Sequence, residues 1–126
     1  MRYQIFIYVD GSDLWDVVNT IKSRITEYTR NKDNRIKLID ERFEKTNDMH
    51  EDDLPDWNLG VNYTLGTLAT SETFELMQLF QKLAVDTRRD FAVGYFDTVT
   101  NIDEDIGFIE KNKPIDDIIT ILENMK

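Results

Sequence analysis

Cysteine is absent from the chain, which removes disulfides, thiolate zinc sites and cysteine nucleophiles. Histidine is nearly so: His50 is the single one, and any histidine-based triad or zinc site would rest on that residue in a polar stretch. None of the serines, Ser12, Ser23 and Ser71, stands in a Gly-x-Ser-x-Gly context, so the nucleophile elbow of a serine hydrolase is missing. The glycines, Gly11, Gly60, Gly66, Gly94 and Gly107, are scattered and form no glycine-rich phosphate loop; no cofactor is expected. No apolar run approaches the roughly 18 residues of a membrane span, and the chain opens on a strand pattern instead of a leader. A cytoplasmic protein is the expectation. Basic side chains are scarce, 15 against 25 acidic ones, for a net charge of −10. That charge repels phosphates and anionic lipid, so neither nucleic acid nor a membrane is expected as partner.

What the chain does contain is enough for one core. Its 126 residues are 40% hydrophobic and 11% aromatic, values of a globular domain and not of a disordered tail. At this length a single domain spanning residues 1–126 buries about two thirds of the surface of its unfolded chain. The negative charge is unevenly spread. Residues 1–38 carry seven basic and five acidic groups, residues 39–56 two and eight, and residues 57–126 six and twelve. The middle segment is therefore the most acidic per residue.

Local patterning predicts eight elements. Tyr3, Ile5, Ile7 and Val9 alternate with Gln4, Phe6 and Tyr8; because both sets are largely apolar, a central strand covered at least partly on both faces is expected. Ser12 or Asp13 is a plausible cap for a helix whose apolar residues recur at Leu14, Val17, Val18, Ile21, Ile25 and Tyr28, with Asp16 in its first turn. Residues 35–45 form a second strand whose apolar phase slips between Leu38 and Ile39, implying a bulge or an edge position. Residues 46–56 are a long charged loop. A half-buried strand then sets Trp57, Leu59, Val61, Tyr63 and Leu65 on one face. A helix capped by Thr70 or Ser71 turns Phe74, Met77, Phe80, Leu83 and Ala84 inward, with Leu76 and Leu79 broadening the stripe. Residues 91–97 form another two-faced strand, and residues 105–110 a shorter one across a six- or seven-residue connection. Pro114 opens a closing helix with Ile115, Ile118, Ile119, Leu122 and Met125 on one side.

The order β-α-β-β-α-β, followed by a short strand and a C-terminal helix, is that of a ferredoxin-like α+β fold: an antiparallel sheet with two helices on one face. The C-terminal helix is expected to cover part of the other face. An enzyme or small-molecule binder on such a sheet would place its pocket between the sheet and that helix.

The stretch IFIYVDGSDLW, residues 5–15, resembles the opening of NYN/PIN-type ribonuclease domains, in which the strand-ending Asp binds a divalent cation. Such a site needs three or four carboxylates converging at the ends of parallel strands. Asp10 is one, and in an antiparallel sheet Asp97 lies at the opposite end from it. Asp10 and Asp13 are therefore read as turn and cap residues. Similarly, NIDEDIG from Asn101 lacks the full spacing and closing glutamate of a calcium loop. No catalytic and no metal-binding residue is assigned, and the chain is not expected to be an enzyme.

One constellation remains: Asp48, His50, Glu51, Asp52, Asp53 and Asp56 beside Trp57, joined further on by Asp103, Glu104 and Asp105. Carboxylates around an aromatic have the composition of a contact surface for a cationic partner. In size, acidity and lack of a catalytic motif the whole chain resembles small bacterial immunity proteins, which neutralise toxins such as those of contact-dependent growth inhibition. The resemblance implies a basic protein toxin as partner, many toxins of that kind being nucleases, occluded by carboxylates standing where phosphates would bind. A self-associating regulatory domain, a homodimer joined through strand two or the strand at Asp105, is the further alternative.

Overall fold

Strict alternation in the sequence becomes strict alternation of burial in a computed structural model, which describes residues 2–11, 13–30, 34–42 and 57–126. Strand β1 (Tyr3–Val9) buries Ile5, Ile7 and Val9 and leaves Gln4, Phe6 and Tyr8 half-buried on its other side. It is followed by α1 (Val18–Thr29), β2 (Ile36–Arg42), β3 (Trp57–Thr64), α2 (Thr70–Thr87), β4 (Phe91–Asp97), β5 (Ile102–Ile109) and α3 (Asp116–Met125). Among the described residues these make an α+β domain, with one five-stranded sheet in the order β2-β3-β1-β4-β5. Every neighbouring pair is antiparallel.

Register decides which side chains share a face. Ile5 lies opposite Tyr63 on β3 and Tyr95 on β4, and Ile7 opposite Val61 and Val93. Leu38 and Ile36 of β2 continue the same face, opposite Val61 and Tyr63. On this side lies the core, where Leu14, Ile21 and Ile25 meet Leu76, Met77, Phe80 and Leu83, all fully buried. Each such side chain contributes roughly 1.5–3 kcal/mol relative to exposure. Helix α1 packs over β2 and β3, and α2 over β5 beside α3.

The C-terminal helix is the main departure from expectation. It does not cover the second face of the sheet. Gly107 pairs with Val93 on the core face, and the Cβ that Gly107 lacks would sit 3.7 Å from the Ile118 side chain. Ile115, Ile118 and Leu122 join the same core as the other two helices. Gln81 Nε2 donates to the Lys113 carbonyl at 2.6 Å and Lys126 Nζ to that of Leu68 at 3.3 Å. Helix α3 thus starts near the end of α2 and finishes near its beginning, antiparallel to it. Side-chain periodicity shows that a helix buries one stripe but not against which layer.

Smaller departures have local causes. Helix α1 begins at Val18, with residues 15–17 in a turn closed by the Val17 and Val18 N–H groups on the Leu14 carbonyl. Asp16 pairs with Arg89 at 3.0 Å and lies outside the helix. At α2 the capping position is Ala69, whose N–H donates to Glu72 Oε1 at 3.0 Å; Glu72 also pairs with Arg35 at 2.6 Å. The inward stripe of α2 is Thr73, Leu76, Met77, Phe80, Leu83 and Ala84, while Phe74 is 40% exposed. Strand β2 is an edge strand with continuous register to β3 from Ile36 to Arg42, so the phase slip at Leu38 reflects exposure and not a bulge. The bulge lies instead in the β4/β5 pair, where Val93 faces Gly107 and Gly94 faces Asp105. Strand β5 starts at Ile102, which shortens the hairpin connection to residues 98–101, with Asn101 at φ 59°.

Asp97 ties the hairpin to the N-terminus. Its carboxylate is buried and accepts from Arg2 Nη2 at 2.9 Å and from the Val99 N–H at 2.9 Å. The Arg2 guanidinium holds it well below the usual carboxylate range, against the cost of burial, with Val99 and Thr100 adding to the effect. A depressed folded-state pKa stabilises the protein above the unfolded value of about 3.9 and is lost as pH falls through the folded one. Asp97→Asn is expected to lower Tm at neutral pH and to flatten the loss of stability below about pH 4, read by thermal melts across an acid series.

Candidate interaction surface

With all three described helices on one side, the opposite face of the sheet is bare of them. Its side chains follow from the pleat: Lys37, Ile39 and Glu41 from β2; Asn58, Gly60, Asn62 and Thr64 from β3; Gln4, Phe6 and Tyr8 from β1; Ala92, Gly94 and Phe96 from β4; Asp103, Asp105 and Phe108 from β5. The face divides into two halves. Over β1 and β4 it is largely apolar, with Phe6 and Tyr8 stacked at 5.1 Å and Phe96 38% exposed, and Phe108 of β5, 37% exposed, adjoins it beside the carboxylates of Asp103 and Asp105. Over β3 it is a ladder of amides and hydroxyls, in which Gln4 Nε2 donates to Thr64 Oγ1 at 2.8 Å and the Tyr8 hydroxyl to Asn62 Oδ1 at 2.7 Å. Burial pushes the Tyr8 hydroxyl pKa up, against the lowering effect of that bond, so Tyr8 presents a neutral phenol.

Glycine makes the apolar half flat. A Cβ on Gly94 would lie 2.3 Å from Phe6 Cζ and 2.5 Å from the Glu104 carbonyl oxygen, so the Phe6 ring rests on the backbone of β4. Gly60 is equally constrained, because a Cβ there would stand 1.8 Å from the Ile7 carbonyl oxygen. The close approach at Gly94 lets the half-buried Phe6 ring lie along the sheet.

A second feature sits where β2 ends and β3 begins. Trp57 is buried, 6% exposed, and its Nε1–H donates to Asp40 Oδ1 at 2.7 Å. Trp15, 65% exposed, meets it edge-on at 4.9 Å. The Arg42 guanidinium lies 4.6 Å from the Trp15 ring centroid and 5.1 Å from that of Trp57, within cation–π range of both. Burial works against ionisation of Asp40, but the hydrogen bonds from Trp57 and Lys22, the latter at 3.1 Å, hold its carboxyl below the usual range. Positions 15, 40, 42 and 57 are remote in sequence, and only the register of Arg42 against Trp57 could have flagged their meeting.

The residues singled out from sequence fall into two groups. Asp48, His50, Glu51, Asp52, Asp53 and Asp56 lie outside the described residues. Trp57 is a core residue at the start of β3. Asp103, Glu104 and Asp105 are exposed on β5 but alternate in direction. Asp103 and Asp105 lie on the bare face opposite Phe96 and Gly94, while Glu104 lies on the helix side, where its Oε2 accepts from the Tyr95 hydroxyl at 2.8 Å. Asp10 is exposed at the end of β1, its N–H donating to the Asp90 carbonyl at 2.8 Å. No group of three or more metal-ligating side chains occurs among the described residues. A depression of about 500 Å³ is lined by Gln4, Lys37, Asn62 and Thr64 together with Arg35, Tyr63 and Thr67, at one end of the amide ladder. No described helix is long and apolar enough to cross a membrane. Comparison with family models, with curated proteins and with solved structures finds no match.

The two tryptophans should separate cleanly in denaturant unfolding. Trp57→Ala is expected to cost about 3–5 kcal/mol, as for a large buried aromatic, whereas Trp15→Ala should cost less than about 1 kcal/mol. Gly94→Ala is expected to destabilise by roughly 1–3 kcal/mol through overpacking against Phe6 and the β5 backbone.

Proposed function

We propose that the chain is a non-catalytic binding protein that captures a basic protein, and that it acts as an immunity-type inhibitor by occluding a cationic cleft. One observation carries this reading: the bare face of the sheet places Phe6, Tyr8, Phe96 and Phe108 beside Asp103 and Asp105. A centre of aromatics with a charged margin is the anatomy of a protein contact surface. The overall charge of −10 selects the sign of the partner and steers its approach, toward association rates of up to roughly 10⁸–10⁹ M⁻¹s⁻¹ at low salt. The acidic residues Asp48, Glu51, Asp52, Asp53 and Asp56 are assigned to the same task on charge alone, standing in for phosphates in the partner's cleft.

We also propose that the first six elements form a ferredoxin-like split βαβ unit. The order β2-β3-β1-β4 within the sheet, with a helix after β1 and another after β3, supports that assignment; β5 and α3 would then be an extension at the β4 edge.

The test is binding to the product of the reading frame immediately upstream, which this reading requires to end in a basic toxic domain, measured by surface plasmon resonance. Raising salt from about 50 to about 500 mM should slow association by ten-fold or more, since exposed charges are screened beyond a few ångströms at the upper value. Neutralising Asp48, Glu51, Asp52 and Asp53 together should slow it further, and Phe96→Ala with Phe108→Ala should speed dissociation. Association indifferent to salt and to these substitutions would remove the reading.

A further inference from the structure

Strand β5 ends the sheet. Its sole strand partner among the described residues is β4, so the N–H and C=O groups on its outer side have no ladder. Such an edge is a template for another strand, and proteins ordinarily blunt it by shortening, bulging, proline or charge. Here the strand is eight residues long and contains no proline. The bulge at Ile106, where the register passes from Gly107 to Asp105, divides the edge in two. Residues 102–105 of the outer run are all exposed, Ile102 at 54%. The remaining device is charge, and it has one sign: Asp103, Glu104 and Asp105.

One-signed charge does not close an edge to every strand. In a two-fold antiparallel pairing of β5 with a second copy centred on Glu104, the two Glu104 side chains would face each other, and each Asp103 would face the copy's Asp105. Like charges directly opposite across strands are destabilising, so self-pairing is opposed here. A strand carrying lysine or arginine at alternate positions meets the reverse situation. Its basic side chains would fall opposite Asp103 and Asp105 on the bare face, beside Phe96 and Phe108. The intervening residue would lie on the helix side, next to Glu104. The same three carboxylates thus exclude one occupant and admit another, specificity built from a repulsive element.

We infer that the outer edge of β5 over residues 102–105 receives an extended basic segment of the partner as a sixth strand of the sheet. Backbone hydrogen bonds to the unpaired edge supply the geometry, and Asp103 and Asp105 supply the choice of sequence. The inference rests on the reading that the partner is a basic protein, and it adds where and in what conformation that partner is gripped.

The experiment uses the full chain, isotope-labelled, and an eight-residue peptide alternating lysine with valine or threonine. Its control is the same peptide N-methylated at every residue, which keeps the charged side chains but leaves no N–H on either edge to extend a ladder. Binding of the unmodified peptide should slow exchange of the outward-facing amides within residues 102–105, those not already bonded to β4. The N-methylated peptide should bind at least ten-fold more weakly. The double variant Asp103→Lys, Asp105→Lys, exposed at both positions and checked by thermal melting, should lose the peptide without unfolding. Equal affinity for the two peptides, protection mapping away from β5, or dimerisation of the free chain through β5 would each overturn the inference. The larger reading is tested separately. If the double variant holds the basic partner as tightly as the parent, the edge is wrong and partner capture stands. If the parent ignores the basic partner while the peptide still adds to β5, the capture reading fails alone.

Discussion

Strand β1 has to satisfy ladders on both of its edges while only one of its faces is covered by helices. It pairs with β3 along one side and β4 along the other, and Ile5, Ile7 and Val9 are the row onto which the helical layer closes. Shifting that row by one residue would exchange three buried aliphatics for Gln4, Phe6 and Tyr8, so the register of all five strands depends on it. The side chains displayed to the outside are then not free to vary in position. Phe6 comes to rest on Gly94 and Tyr8 reaches Asn62 because β1 is pinned from the other face.

Concentrating three helices on one side has an energetic and a functional side. The core gains a third apolar helix, anchored by Ile115, Ile118 and Leu122, and this helps a small cysteine-free domain bury enough surface. The opposite face carries no helix among the described residues. Half-buried aromatics there are tolerated because rings lying along the backbone shield one another and the backbone beneath them, and because the amide ladder over β3 keeps the rest wettable. Aromatic area held in place before a partner arrives has less side-chain freedom left to lose on binding.

Much of this is legible in the sequence, and the gaps have physical reasons. Alternation identifies β1 and β3 because burial on a pleated strand repeats every second residue, as Leu59, Val61 and Tyr63 show. The two-faced pattern of β1 is real, but among the described residues Phe6 and Tyr8 owe their partial burial to their neighbours in the sheet and not to a helix, which misdirects α3. In α2, a spacing that includes Phe74 competes with one that includes Thr73; the polar Thr73 is the buried member, and hydrophobicity alone ranks them the other way. The Trp15, Arg42 and Trp57 stack depends on pairing between β2 and β3 across the segment from 43 to 56, a separation that no local pattern spans. The carboxylates of β5 are visible as a run, yet their division between the two faces of the sheet follows from the Ile106 bulge.

Arg42 and Trp57 face each other in register, with Trp15 and Asp40 closing around them. Whatever chain joins these two residues begins and finishes at adjacent points that the fold itself holds together. The entropy of closing such a connection grows only by about 0.6 kcal/mol for each doubling of its length. A change in the length of that connection alone therefore costs little closure entropy. The tryptophan and arginine stack thus fixes the span between the two ends of the segment from 43 to 56, where acidic side chains are most concentrated in the sequence.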